Sequence, residues 1–329
     1  PPPPPPPPPT LFSSRRRHTR SCLKSRGLGD VYKRQVLSGG LGGLKEEALQ
    51  RLEGEIESGK IDFLQAVIIS IDAVIRFAHR FAALAEEKAR DEKDDDRQQE
   101  LLTIAEICRT VPEKPAASFQ EALQSLWFVH LVIQIESNGQ SISFGRFEQL
   151  MNRFYLRDRE KGLLNREEAI ELLQCFFLKA MEANKVRDWG STEFNTGYAM
   201  YQTLTVGGQM RDGRDATNEM TYIVLEATAG LGVQEPTTVI RLHKGTPDEL
   251  MAAAVDALAE HRGGLPSFFN DEVAIPLLLN QPHNEITLED ARDWAVMGCV
   301  EPNIPGKYIN STGGTCVINL AKAFELAFH

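Results

Sequence analysis

The chain has 329 residues, 42% of them hydrophobic, and a formal net charge of −10. That length supports one large or two ordinary domains with a sizeable core. The acidity argues against a nucleic-acid partner, and no apolar run approaches the roughly 18 residues of a membrane span. No secretory leader is recognisable. Cys22, Cys108, Cys175, Cys299 and Cys316 are scattered, without CxxC or metal-ligand spacing. Neither a disulfide framework nor a metal site is expected, and this usage fits a reducing, cytoplasmic setting.

Residues 1–9 are all proline, which forms extended polyproline II without internal hydrogen bonds. Residues 10–35 then carry Arg15, Arg16, Arg17, Arg20, Lys24, Arg26, Lys33 and Arg34 against Asp30 alone, so the rest of the chain is more acidic than the total. A basic arm for nucleic acid is the lesser reading. Residues 1–40 read instead as a non-native or disordered low-complexity leader, like translated adapter sequence. Residues 41–329 read as the catalytic domain.

From Leu44 the pattern becomes helical, over 44–58 and 61–91. In the second stretch Phe63, Val67, Ile71, Ile75 and Ala78 recur at helical spacing. Residues 88–99 are a charge run, expected to be a solvated helix end or loop. A helix over 99–109 ends at the proline-marked break 111–115. Ser118 then caps a helix over 119–135, with Glu121 completing a capping box. That helix is apolar almost all round, which marks it as buried, and His130 within it reads as a satisfied core histidine.

Residues 136–146 are polar and turn-rich and follow this buried helix directly. Such loops carry binding groups, although an ordinary Asn-Gly turn fits the local sequence equally. Helices are expected over 146–157 and 166–184, the second capped by Asn165. Residues 189–198 form a polar-aromatic loop before a strand at 203–208. Gly207, Gly208 and Gly213 lack both GxGxxG and a Walker lysine, so a hairpin-like turn is expected rather than a phosphate cradle.

Helices over 216–229, 247–262, 271–279 and 287–293 then alternate with strands over 237–242, 266–269 and 295–299. This alternation gives an α/β class with short, buried strands. The apolar helix beginning at Cys316 has no stop signal, and the chain reads as truncated there. Cys175 and Cys316 fall in apolar helical patterns and read as core.

The stretch 294–302, Trp-Ala-Val-Met-Gly-Cys-Val-Glu-Pro, carries the chemistry. If it is extended, Cys299 and Glu301 share one face, placing a sulfur beside a carboxylate. Gly298 permits a close backbone approach, and Pro302 is expected to end any paired strand. Taken alone, a Cys-x-Glu is more often an inert buried thiol beside a surface acid.

Four ordered stretches change that weighting: 136–146, with Ser137-Asn138-Gly139-Gln140-Ser141; 205–218, with Gly207-Gly208 and Gly213-Arg214-Asp215; Leu265-Pro266-Ser267-Phe268-Phe269-Asn270; and 297–307, with Gly298-Cys299-Val300-Glu301-Pro302. Together they resemble the glycyl radical enzyme family, the pyruvate formate-lyase-like superfamily, over roughly residues 45–329. The resemblance implies an incomplete ten-stranded α/β barrel: a half-barrel with a cysteine loop, wrapped by helices and helix-rich at its N-terminal part. It implies that Cys299 carries a thiyl radical that abstracts a substrate hydrogen atom, and that Glu301 is the general base. Ser141 and Gln140 are the substrate-pocket candidates, and Phe194 and Thr312 are weaker ones.

The implied cofactor is a protein glycyl radical, installed by a radical S-adenosylmethionine iron–sulfur activase. The implied partners are that activase, a small-molecule substrate and a second copy of the full-length chain. The radical glycine lies in a C-terminal motif that this chain does not contain, so the fragment is expected to be inactive by itself. Gly298 precedes Cys299 where pyruvate formate-lyase has a second cysteine, which favours the dehydratase, decarboxylase and C–X lyase branches over acyl transfer. Gln140 and residues 310–315 depart from the histidines of the glycerol and propanediol dehydratases. A non-radical cysteine nucleophile with His243, His261 or His283 as base, and an inactive homologue, are the alternatives.

Overall fold

The computed structural model describes residues 29–137, 141–183, 189–194, 200–281, 285–307 and 320–327. It opens with α1 (Gly29–Glu53), α2 (Ser58–Asp91), α3 (Asp95–Thr110) and α4 (Phe119–Ser137). Ala78 and Ala82, one turn apart on α2, pack with Cys108 of α3 and Phe128 of α4. Small residues at this spacing let helices approach closely. The charge run contains the reversal between α2 and α3, where Asp94 caps α3 by accepting from Arg97 N at 2.9 Å. Asp95 and Asp96 then suit its positive N-terminal end.

The boundary expected at residue 40 falls inside α1. Gly40 kinks the helix with φ 69°. Leu41 N donates to Pro112 O at 2.7 Å and Gly42 N donates to Glu113 O at 2.9 Å. This docking buries Val36 and Leu37, and Leu37 joins the largest core. Residues 29–40 of the expected leader are therefore helical, and their Gly-interrupted polar sequence carries two apolar anchors.

Next come β1 (Gly145–Arg146), α5 (Phe147–Glu160), α6 (Arg166–Glu182), α7 (Trp189–Phe194), β2 (Leu204–Gly207), α8 (Glu219–Leu231), β3 (Thr238–Leu242), α9 (Asp248–His261) and β4 (Ser267–Asn270). The four strands form one sheet in the order β1-β2-β3-β4, every neighbouring pair parallel. Parallel neighbours need long crossovers, and α8 and α9 supply them between β2, β3 and β4. The expected α/β class holds as a helix-rich fold around a parallel sheet.

Both faces of this sheet are covered, as parallel sheets require. Side-chain alternation assigns them. Leu204, Val206 and Ile240 face the helices in the main core, with Met220, Ile223 and Leu250. Val239 faces the other way, into a second core with Trp294, Val296 and Ile304. That second core belongs to the last elements, α10 (Asp271–Leu279), α11 (Leu288–Arg292), β5 (Ala295–Met297) and β6 (Glu301–Asn303), followed by α12 (Leu320–Leu326). Among the described residues, no helix is long and apolar enough to cross a membrane.

Two expectations change. Pro302 does not end pairing: β5 and β6 form an antiparallel ribbon with Val296 opposite Pro302 and Met297 opposite Glu301. A proline survives because the ribbon has only two strands, so each is an edge. Cys175 is exposed rather than core. Residues 209–215 reverse as a hairpin-like turn, as expected, closed by a bridge between Gln209 and Asp215.

Candidate active site

The ribbon root is fixed by a buried ionic cluster. Arg241 on β3 donates from Nε to Asp271 Oδ1 and from Nη2 to Asp271 Oδ2, both at 2.8 Å. Its Nη1 donates to Trp294 O at 2.6 Å, and its guanidinium carbon lies 4.6 Å over the Trp294 ring. Trp294 Nε1 completes the set by donating to Asp271 Oδ1 at 2.8 Å. Burial is the main force on Arg241, lowering its pKa to about 10, with Arg146 adding to that and Asp271 opposing it. The side chain lies against Gly208, where a Cβ would stand 2.6 Å from Arg241 Nε. This close approach explains the second glycine of the Gly-Gly pair.

From that root β5 runs across the face of β2 opposite the main core. Val296 N donates to Thr205 Oγ1 at 3.1 Å, and the Thr203 hydroxyl donates to Gly298 O. Residues 203 and 205 share a face because strand side chains alternate. Gly298 N donates to Ser143 Oγ at 3.0 Å. The tip therefore sits beside the residues that lead into β1 and β2.

Residues 298–300 form the turn, so Cys299 and Glu301 do not alternate along one strand as expected. The turn carries the thiol, and Glu301 opens β6 and folds back. Its Oε2 accepts from Val300 N at 3.1 Å and lies 3.2 Å from where a Cβ on residue 298 would be. Carboxylate and thiol still share the tip, through turn geometry. Cys299 is exposed there. Burial of its sulfur pushes the thiol pKa up, the Glu301 charge adds to this, and a hydrogen bond with the Tyr201 side chain opposes it. Together burial and the Glu301 charge favour the thiol over the thiolate.

Ser141 also reaches the tip: its Oγ lies 2.7 Å from a Cβ position on Gly298. Its backbone is left-handed, with φ 64°, and its N donates to Met200 O at 2.8 Å. Gln140 and Thr312 lie outside the described residues, as does the side chain of Phe194, which ends α7. Cys316 and His283 also lie outside them. His243 pairs with Asp215 at 2.9 Å, and His261 Nε2 meets Val233 O at 2.9 Å. Their contacts thus commit both to other elements. His130 is a buried core residue, with Nε2 2.7 Å from Gln202 Oε1 and its ring stacked on Phe144 at 4.3 Å between ring centres.

Sequence reasoning missed Ser143, Tyr201, Thr203, Thr205 and Glu235. Ser143 lay in the polar loop 136–146 and the threonines alternate with Leu204 and Val206 along one strand, whereas Tyr201 and Glu235 had no local signal.

The family model described as "Pyruvate formate lyase-like" matches residues 17–329. The probable dehydratase YbiW of Escherichia coli is 37% identical over 307 residues, covering 89% of this chain and 37% of that protein. A solved structure concerned with 1,2-propanediol dehydration in Roseburia inulinivorans is 44% identical with a TM-score of 0.79, covering 83% of this chain and 34% of that one. A glycyl radical enzyme from Archaeoglobus fulgidus is 35% identical with a TM-score of 0.81, covering 90% and 38%. The chain thus spans little more than a third of the length of these relatives.

Proposed function

We propose a function from a premise the match establishes: this chain belongs to the pyruvate formate lyase-like family of glycyl radical enzymes. It is the cysteine-bearing part of a dehydratase or related lyase that acts on a small molecule. Its four parallel strands are part of the larger barrel, with the β5–β6 ribbon laid on the barrel's inner face. The observation that carries the reading is the ribbon tip, where Cys299 and Glu301 stand together on one short turn.

In this reading Cys299 exchanges a hydrogen atom with substrate carbon, a step that needs S–H rather than S⁻. Glu301 accepts the proton of the neighbouring substrate hydroxyl, so that a C–O or other C–X bond can break with the leaving group departing. When the product forms, the thiol returns its hydrogen atom to carbon. Ser141 orients the substrate over the tip, and Gln140 assists. Phe194 and Thr312 stay weaker substrate-binding candidates on the sequence alone. The glycyl radical supplies the one-electron oxidation of Cys299, and a radical S-adenosylmethionine activase installs it. The complete enzyme works as a cytoplasmic homodimer.

The tip also disfavours the alternatives. A nucleophilic cysteine needs a lowered pKa and a nearby base, whereas this thiol is pushed up and His243 and His261 are bonded elsewhere. Acyl transfer through paired cysteines is disfavoured because Gly298 and Val300 flank Cys299.

The test uses the complete, activated protein with candidate diols, hydroxy-sulfonates and hydroxy-amino acids. Cys299→Ala should abolish turnover, and Glu301→Gln should lower it by about a hundredfold or more, the scale of general-base loss. Equal turnover by wild type and Cys299→Ala overturns the reading.

A further inference from the structure

Glu235 lies in the connection before β3, far in sequence from the cysteine turn. Its carboxylate is buried, yet among the described residues no cation pairs with it. It accepts three successive backbone N–H groups: Oε1 from Met200 at 2.9 Å and Tyr201 at 2.7 Å, and Oε2 from Gln202 at 2.9 Å. Burial pushes this carboxyl pKa up, and those three N–H groups act against it, with a further backbone hydrogen bond from Thr237.

The strap it grips has an unusual backbone. Tyr201 is left-handed, with φ 55°, a conformation that a bulky non-glycine residue adopts only when its surroundings impose it. Tyr201 is also the residue whose side chain hydrogen-bonds the Cys299 thiol. The same strap supplies the Met200 carbonyl that holds Ser141 N at 2.8 Å. One carboxylate therefore organises the backbone behind two groups at the ribbon tip.

We propose that Glu235 is a positioning residue for the cysteine turn: by accepting the N–H groups of residues 200–202 it fixes Tyr201 in the conformation that carries its side chain to the Cys299 thiol. Glutamate suits the task because two oxygens with four acceptor positions can take three donors. Aspartate has the charge without the reach. Glutamine has the reach, but turns an amide donor toward backbone donors. The proposal deepens the reading of Cys299 as the reactive thiol and rests on it only for consequences in turnover. Its test reads the thiol directly, so the two ideas fail separately.

The experiment measures the rate of Cys299 alkylation by iodoacetamide against pH. It uses this chain with Cys22, Cys108, Cys175 and Cys316 replaced by alanine. The charged groups acting on the thiol are Glu301 on β6 and Glu235 itself; Tyr201 adds the hydrogen bond. Tyr201→Phe removes that bond and should move the midpoint upward, slowing alkylation at pH 8 about threefold to tenfold, since one pKa unit is tenfold in thiolate. Glu235→Asp and Glu235→Gln should reproduce this upward shift. Adding Tyr201→Phe to either should shift it no further.

Three results overturn the proposal. A downward shift in Glu235→Gln with none in Glu235→Asp means Glu235 acts only through its charge. A fall in thermal stability with an unchanged midpoint means it only fills the core. An additive double variant means Glu235 does not act through Tyr201. Wild-type hydrogen exchange adds a measurement that needs no variant: the amides of Met200, Tyr201 and Gln202 should be protected as a set, and fast exchange at Tyr201 sinks the idea.

Discussion

Ser141 Oγ stands 2.7 Å from the position a Cβ on Gly298 would occupy. Ser141 and the cysteine turn are therefore in contact, although they stand 157 positions apart in the sequence. Gly298 also has φ 65°. Gly298→Ala thus meets two costs: a left-handed backbone at about 1–2 kcal/mol and a steric overlap of similar size. Chemical denaturation should show a loss of about 2–4 kcal/mol, and Ser141→Gly in the same chain should recover part of it by removing the obstructing hydroxymethyl.

Glu301 acts on Cys299 through its charge, which raises the thiol pKa alongside burial. Neutralising it removes a force that favours S–H. Glu301→Gln should therefore lower the midpoint of Cys299 alkylation and speed the reaction near pH 8 by about threefold, as for half a pKa unit. An unchanged or raised midpoint shows that the carboxylate points away from the sulfur in solution.

The ribbon root depends on one buried ion pair. Arg241 and Asp271 both have side chains at 0% exposure, and Arg241 also holds the carbonyls of Trp294 and Arg292. Removing one partner strands the other charge. Arg241→Met should cost about 3–5 kcal/mol in chemical denaturation. The exposed pair Arg166–Glu226 should lose about 1 kcal/mol or less on Arg166→Ala.

Asp290 gives the fold an acid-sensitive point. Burial pushes its carboxyl pKa up, but hydrogen bonds from Lys307, Thr287 and Arg211 outweigh this and hold it well below the usual carboxylate range. A depressed pKa in the folded state means the unfolded chain binds the proton first. The stabilisation is therefore complete above about pH 4, the unfolded value, and is lost as pH falls below it. Thermal midpoints of wild type should drop more steeply from pH 5 to pH 2.5 than those of Asp290→Asn; parallel curves refute the assignment.

Local chemistry made much of this molecule legible in the sequence. Helical spacing placed α2, α6 and α10 near their observed bounds, and Asn165 caps α6 as expected, in a box that Glu168 completes. The helix–strand alternation gave the α/β class, because a parallel sheet needs its crossovers written into the chain. Gly298, Cys299 and Glu301 stood out as one short stretch of chemically active types. These features depend on residues within a few positions of one another.

Tertiary contacts alone decided the rest. α1 begins before residue 40 because Val111 and Ala116 pack on Leu37 and Ile71 of α2 packs on Val36, and no periodicity announces docking partners so far along the chain. Cys299 and Glu301 meet through a turn rather than along a strand, because the register of a two-stranded ribbon, set by Met297 opposite Glu301, requires it. Ser141, Thr203, Tyr201 and Glu235 gather at that turn because the parallel sheet brings the starts of β1 and β2 and the approach to β3 to one end. Sequence fixes which side chains can do chemistry, since that follows from residue type; which of them share a site follows from strand order and register, which are long-range.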